Sequence, residues 1–422
     1  MLKTLVGSKI LKQVSALFIT QIFGLLVGFI LNIFLARQMG SDNFGIFSLS
    51  IAIINFIAVF FGFGYFYSLS RFLAIKSSTI LRREFIGVGL VLIIINSILF
   101  FILIFVFSFF VDVFYEYAIG NIIRISSIVS WGLIIPFFFE LILKGCNFIY
   151  FISFFNILNK LFFLLVICIL YLIDNLTPAL VVFSFLMSYI FSFALCVCGL
   201  KPTFKKTKYI LKILHKETIL YGLNLYVCRI ITTPVFYLDK LLIAFFLSSR
   251  DVGIYSLAGS FSNPIAILAI ALNSVLFKAI ANSNTISKKF LLINFVCVVL
   301  SFITINILSI VVINIFLNIP DYDGIYRFIF LISLSTVVTA LYQPYNNWFV
   351  ARGYGAELKK MNFIIIPIFL VANVILILFF GIFGAIFASI SVNIIYFILY
   401  TIYYRVILKN IDRDNKINYN IV

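Results

Sequence analysis

The sequence predicts an all-α polytopic membrane protein of about twelve transmembrane helices in two six-helix bundles, and three observations carry that prediction. Composition is the first: 64% of the 422 residues are hydrophobic and 11% charged, with a mean hydropathy of +1.22. Soluble domains run at roughly 45–50% apolar and 25% charged. The second is segmentation into apolar runs of about twenty residues, enough at 1.5 Å per residue to cross about 30 Å of hydrocarbon. The third is the one-sided distribution of basic residues between those runs.

In chain order the spans fall at 13–36, 44–69, 85–111, 119–143, 148–173, 178–199, 217–247, 252–278, 289–316, 325–351, 359–380 and 381–405. Span one follows Lys3, Lys9 and Lys12 with no small-residue cleavage pattern, so it reads as a retained helix rather than a removed signal peptide. Arg37 and Asp42 divide spans one and two, Arg71 to Arg83 divide two and three, and Asp112 with Glu116 precedes span four. Lys144 closes span four, Asp174 span five, and the basic stretch 201–216 follows span six. Arg250 and Asp251 divide seven from eight, Lys278 to Lys289 eight from nine, Asp321 and Asp323 nine from ten, and Arg352 to Lys360 ten from eleven. Spans eleven and twelve abut at Phe380-Gly381.

Twelve spans put both termini on one side, and the loops then alternate. Apart from three cations deep within spans, only Arg37, Arg124, Arg250 and Arg327, in loops or at span ends, fall on the side opposite the termini, where Asp42, Asp112, Glu116, Asp174, Asp251, Asp321 and Asp323 also lie. By the positive-inside rule both termini are cytoplasmic. The net charge of +17 is therefore a topology signal, and nucleic-acid binding is excluded as its reading. The expected organisation is a bundle at 1–200, a basic cytoplasmic linker at 201–216, a second bundle at 217–405 and a cytoplasmic tail at 406–422. The six cysteines lie in or beside apolar runs without metal-ligand spacing and read as inert.

The halves echo each other at an offset of 208 residues: Gly45-Ile46-Phe47-Ser48-Leu49 matches Gly253-Ile254-Tyr255-Ser256-Leu257, Pro136 matches Pro344, and Lys144-Gly145 matches Arg352-Gly353. Six spans per half give the halves one orientation, so they should be related by a pseudo-twofold axis along the membrane normal, a parallel repeat with a site at its interface. Pro136, Pro344, Pro234, Pro264 and Pro367 remove helix hydrogen bonds and are candidate bends. Gly24 and Gly28 form a small-residue row that reads as close helix packing.

Three cations remain inside spans: Lys160, Arg229 and Lys240, with Asp239 and Glu140 as nearby acids. Lys160 sits about 18 Å from either end of span five, sharing a face with Ser153 and Asn156 that should point into the bundle rather than at lipid. A cation at the bilayer centre costs about 2.5–3.5 kcal/mol on insertion scales, so it is retained only where compensated. On a continuous span seven, Arg229, Thr233 and Lys240 would stack on one side, with Asp239 about 100° round from Lys240. Glu140 and Arg37 lie near span ends and read as interfacial. A cavity lined by these cations suits an anionic group and repels a cationic drug.

The stretches RQMGSDNFGIFSL at 37–49 and DKLLIAFFLSSRDVGIYSLA at 239–258 resemble signatures of the bacterial polysaccharide-lipid flippases, the Wzx-type O-antigen transporters. These belong to a superfamily that also holds multidrug (MATE) exporters and lipid II flippases. The resemblance implies a MATE-like fold and translocation of an oligosaccharide on undecaprenyl pyrophosphate from the cytoplasmic to the periplasmic face, by alternating access and without ATP or another cofactor. It assigns the substrate-facing role to Lys160, Arg229 and Lys240, with Asp239 as the recurrent acid of span seven. Lys160 has no counterpart at the offset position, which is Ile368. Proton or sodium coupling, and a polysaccharide polymerase and chain-length regulator as partners, are further implications. The alternatives are a cation-coupled drug exporter of the same fold, which needs an acidic cavity, and a polytopic polymerase, which needs a large periplasmic loop. The longest polar stretches, 200–216 and 406–422, are on the cytoplasmic side, the one histidine, His215, lies in the first of them, and no phosphate-binding loop is present.

Overall fold

The computed structural model describes residues 9–75, 79–115, 119–146, 148–233, 235–281, 285–317 and 320–419, and among them helix predominates and no strand occurs. Nine stretches among the described residues are long and apolar enough to cross a membrane. The chain divides into two units, Met1–Phe245 and Phe246–Val422.

The first unit opens with α1, Lys9–Ala58, a 50-residue helix that contains spans one and two. The loop expected between them is instead a kink at Gly40 (φ 75°, ψ 173°), a conformation open to glycine because it has no Cβ. Span two also ends earlier than expected. A 3-10 turn at Val59–Phe61 leads into Phe63 and Gly64, both at positive φ, and a separate helix α2 runs Tyr65–Ile75. Then follow α3 (Thr79–Phe114), α4 (Ile119–Ser130), α5 (Ile149–Leu172) and α6 (Pro178–Leu200). Around Pro136 span four gives up α geometry for a 3-10 turn, Trp131–Ile134, and a π segment, Phe138–Leu143. Its repeat partner Pro344 is buried inside a continuous helix, so the symmetric prolines do not produce symmetric distortions.

The stretch 201–216 is not a free linker. Its helix α7, Thr207–Glu217, buries Ile210 and Leu214 in a core cluster that includes Leu69, Phe85, Phe139 and Phe155. Two apolar residues four apart give it one buried stripe, and the lysines face out. Tyr65 Oη and His215 Nδ1 lie 2.7 Å apart, and Arg71 pairs with Glu217 at 2.7 Å. These contacts to α2 explain why the packing boundary falls at 245/246 rather than at the 201–216 stretch.

Span seven is broken. A π turn at Thr218–Gly222 leads to α8 (Leu223–Thr232) and then α9 (Val235–Phe246). The break coincides with Pro234, which has no N–H to continue the ladder and itself lies outside the described residues. At the π turn the backbone passes Gly64 so closely that a Cβ there would sit 2.6 Å from Gly222 C. Reciprocally, a Cβ at Gly222 would collide with Gly64 O.

The second unit holds α10 (Ser249–Ala281), α11 (Lys288–Phe316), α12 (Ile325–Arg352), α13 (Gly355–Phe380) and α14 (Ile382–Tyr419). Ser248 begins α10 with its Oγ accepting from Asp251 N at 3.1 Å, which sets the repeat segment 253–257 on a fixed helix start. Gly353, at φ 79°, ends α12. The division at Phe380-Gly381 holds: Gly381 at φ 59° is the single residue between α13 and α14. The expected tail at 406–422 continues α14 to Tyr419. Buried Trp348, Phe349 and Met361 pack with Tyr400 and Tyr404, and polar ties such as Asn294 Nδ2 to Ala340 O (3.2 Å) cross between helices.

Candidate functional site

All the intramembrane cations singled out from sequence lie in the first unit, so its packing decides what they can do. α1 and α5 pack closely, and Lys160 of α5 lies in the trough made by the two glycines of α1. A Cβ on Gly24 would stand 3.8 Å from Lys160 Cγ and one on Gly28 3.8 Å from its Nζ. The aliphatic stem therefore runs along α1 from Gly24 to Gly28, where the ammonium ends. The glycine row is more than helix packing: it is the space the lysine fills.

Lys160 is half-buried and, among the described residues, makes no hydrogen bond or ion pair. Two ion pairs, Arg71–Glu217 and Lys144–Glu140, lie elsewhere. The Glu140 pair is 3.2 Å long, with both groups exposed. Ser153, two turns before Lys160, is buried with no hydrogen-bond partner among the described residues, and half-buried Asn156 lies between them on the same face. The polar face of α5 is thus present as the spacing predicts.

Its other polar contact was not anticipated. Asn159, buried, donates Nδ2 to Ser188 Oγ of α6 at 2.8 Å. This ties α5 to α6 about 100° round the helix from Lys160 and helps fix the rotation of α5 that sends Lys160 into the glycine trough. Its sequence signal was a second asparagine inside an apolar span, masked by the adjacent lysine.

The seam in span seven does not exist as one helix face. Arg229 and Thr233 close α8, with Thr233 N bonded to Arg229 O at 2.9 Å, whereas Asp239 and Lys240 belong to α9. Eleven residues across a break do not make three helical turns, so the stacking argument fails with the helix it assumed. All four side chains are half-buried. Asp239 and Lys240 are consecutive residues of α9, so the two charges lie close together, and Tyr237 at the start of α9 lies near Arg229 and near Tyr189 of α6. Arg37 stands exposed on α1, three residues before the Gly40 kink. Among the described residues no cluster of His, Cys, Asp or Glu could hold a metal ion.

The fold has close counterparts. A lipid II flippase, MurJ, in an inward closed conformation superposes with a TM-score of 0.70 at 14% identity, over 92% of this chain and 87% of that one. An inward-facing multidrug resistance MATE family transporter of the MOP superfamily gives 0.65 at 14% identity, covering 92% and 96%. The MATE multidrug transporter DinF-BH gives 0.60 at 17% identity, covering 93% and 95%. At such identities the likeness is one of fold, and it makes this chain a MATE-like polytopic helical membrane protein. No curated protein matches the sequence. The model of one protein family, described as polysaccharide biosynthesis protein, matches residues 10–282. That match takes in well over half of the chain and every intramembrane cation considered above, and so the chain belongs to the polysaccharide biosynthesis protein family.

Proposed function

We propose that this protein is a flippase that carries an oligosaccharide linked to undecaprenyl pyrophosphate from the cytoplasmic to the periplasmic face of the inner membrane. The observation that carries the reading is Lys160: a cation deep in a span, held against Gly24 and Gly28, with no acid partner among the described residues. An uncompensated ammonium in a bundle is retained at a cost of a few kcal/mol, and an anionic substrate passing it removes that cost. Pyrophosphate supplies the anion. Arg229, Lys240, Asp239, Thr233 and Asn156 complete the substrate-facing set in this reading, and Arg37 is the residue a substrate meets at the span end. Membership of the polysaccharide biosynthesis family and a fold like that of a lipid II flippase support it. Translocation then proceeds by alternating access, driven by a proton or sodium gradient rather than by nucleotide, and hands the product to a polymerase and chain-length regulator.

The test is a strain whose surface polysaccharide depends on this gene. Lys160→Ala should abolish export and leave the lipid-linked repeat unit on the cytoplasmic face, while Lys160→Arg should retain part of it. Polymer of normal length and amount from Lys160→Ala, at equal protein level, would reject the role.

A further inference from the structure

Apart from the cations, the first unit contains a cavity of about 570 Å³ bounded by α3, α4, α6 and the loop that precedes α7. One wall is a single face of α3: Leu90, Ile94, Ser97 and Phe101 succeed one another at helical spacing, and Trp131 and Phe193 stand opposite. From Leu90 to Phe101 the wall is about 16 Å long at 1.5 Å per residue, which is one leaflet of a hydrocarbon core of about 30 Å. Taking about 30 Å³ for a water-sized group, the cavity holds on the order of nineteen methylene-sized groups. That is room for one phospholipid acyl chain.

The same face of α3 continues toward the basic side. Gly87 is the next position, and there the loop crosses the helix: a Cβ on Gly87 would clash with Thr203 O and sit 3.2 Å from Phe204 Cδ1. Phe204 closes that end of the cavity. One turn further Arg83 emerges exposed, its carbonyl accepting from Thr203 N at 3.1 Å, so loop and helix are tied at the mouth. Lys205 and Lys206, next after Phe204, are exposed as well. Glu84, the one acid beside them on α3, is buried. An apolar slot one leaflet deep ends at three exposed cations. In its wall the Ser97 hydroxyl is buried with no hydrogen-bond partner among the described residues, the one hydroxyl among otherwise apolar and aromatic side chains.

We propose that this cavity binds one acyl chain of an anionic phospholipid from the basic-side leaflet, whose phosphate is met by Arg83, Lys205 and Lys206. Each cation near an anionic headgroup contributes on its own account, so the site selects headgroup charge as well as filling its slot with hydrocarbon.

The experiment uses the full chain in nanodiscs of phosphatidylethanolamine with graded phosphatidylglycerol, retained lipid being identified and counted by native mass spectrometry. About one phosphatidylglycerol should remain bound. The triple variant Arg83→Gln, Lys205→Gln, Lys206→Gln should weaken it at least tenfold relative to phosphatidylethanolamine, with thermal unfolding little changed. Ile94→Trp, which fills the slot, should remove the retained lipid of either kind. Where Ile94→Trp does not fold, the triple variant alone decides. Unchanged phosphatidylglycerol retention in the triple variant overturns the proposal, as does a retained lipid that proves to be a polyprenyl phosphate. Neither result bears on Lys160, so this site and the flippase reading fail separately.

Discussion

Lys160 and Gly28 form one packing pair although they are 132 positions apart, because the ammonium occupies the volume a side chain at 28 would take. A Cβ alone at either glycine meets Lys160 at 3.8 Å, ordinary van der Waals contact, so Gly24→Ala and Gly28→Ala should transport normally. Gly28→Leu extends branches into the place of Nζ and must displace it. We expect Gly28→Leu to reproduce the export defect of Lys160→Ala at equal expression, read as polymer amount; normal polymer would detach the trough from function. The lysine and its polar face were legible in sequence, because a charge in an apolar run is conspicuous and helical spacing is fixed. The trough was half legible: Gly24 and Gly28 announce a close approach, but not what approaches. Nothing in spacing alone could show that Asn159 bonds Ser188, since that depends on how α5 is rotated against α6.

At the scale of elements, the crossing of Gly64 and Gly222 holds the start of α2 against the broken span seven. Tyr226 reinforces it, with its hydroxyl donating to Phe60 O. A methyl at Gly222 would lie 2.5 Å from Ser68 Oγ and closer still to Gly64 O, and main chain cannot rotate aside as a side chain does. Overpacking of this kind costs about 1–3 kcal/mol. Gly222→Ala should therefore lower the thermal midpoint of the purified protein by several degrees. Gly259→Ala, a glycine of α10 with nothing within 4 Å of its Cβ position, should leave the midpoint unchanged or raise it. Equal midpoints for the two variants would show that the crossing contributes nothing. Hydropathy located nearly every long helix, because burial in lipid is a property of composition. It placed a loop where the chain only kinks at Gly40, and it missed the breaks at Phe63-Gly64 and 218–222, where a few backbone dihedrals change and the side chains remain largely apolar. It also passed over α7 as a loop, though Ile210 and Leu214 four residues apart amid lysines are an amphipathic stripe.

For the whole molecule, the distribution of Lys and Arg implies one orientation, and the basic loop before α7 and the acidic loop between α11 and α12 provide its test. In a chain with its native cysteines replaced by serine, Lys205→Cys should react with a membrane-impermeant maleimide only after cell lysis, and Asp323→Cys should react in intact spheroplasts. Reaction of Lys205→Cys from outside would invert the topology and with it the direction of transport. The fold class was readable from the sequence because twelve runs, a charge asymmetry and a half-length echo are all global regularities; the boundary between units was not, because it depends on α7 and α8 docking onto α2. The hairpin of α13 and α14 extends this to the surrounding lipid. Its tip at Gly381 bonds internally, Gly381 N to Ile377 O at 2.8 Å and Gly384 N to Gly381 O at 2.9 Å, so it needs no water to satisfy its backbone. Phe379, Phe380 and Phe383 are exposed around it, and no charged residue occurs between Lys360 and Arg405. Headgroups therefore find no charged side chain to grip there, and the leaflet around the tip meets phenyl rings and a backbone that satisfies itself.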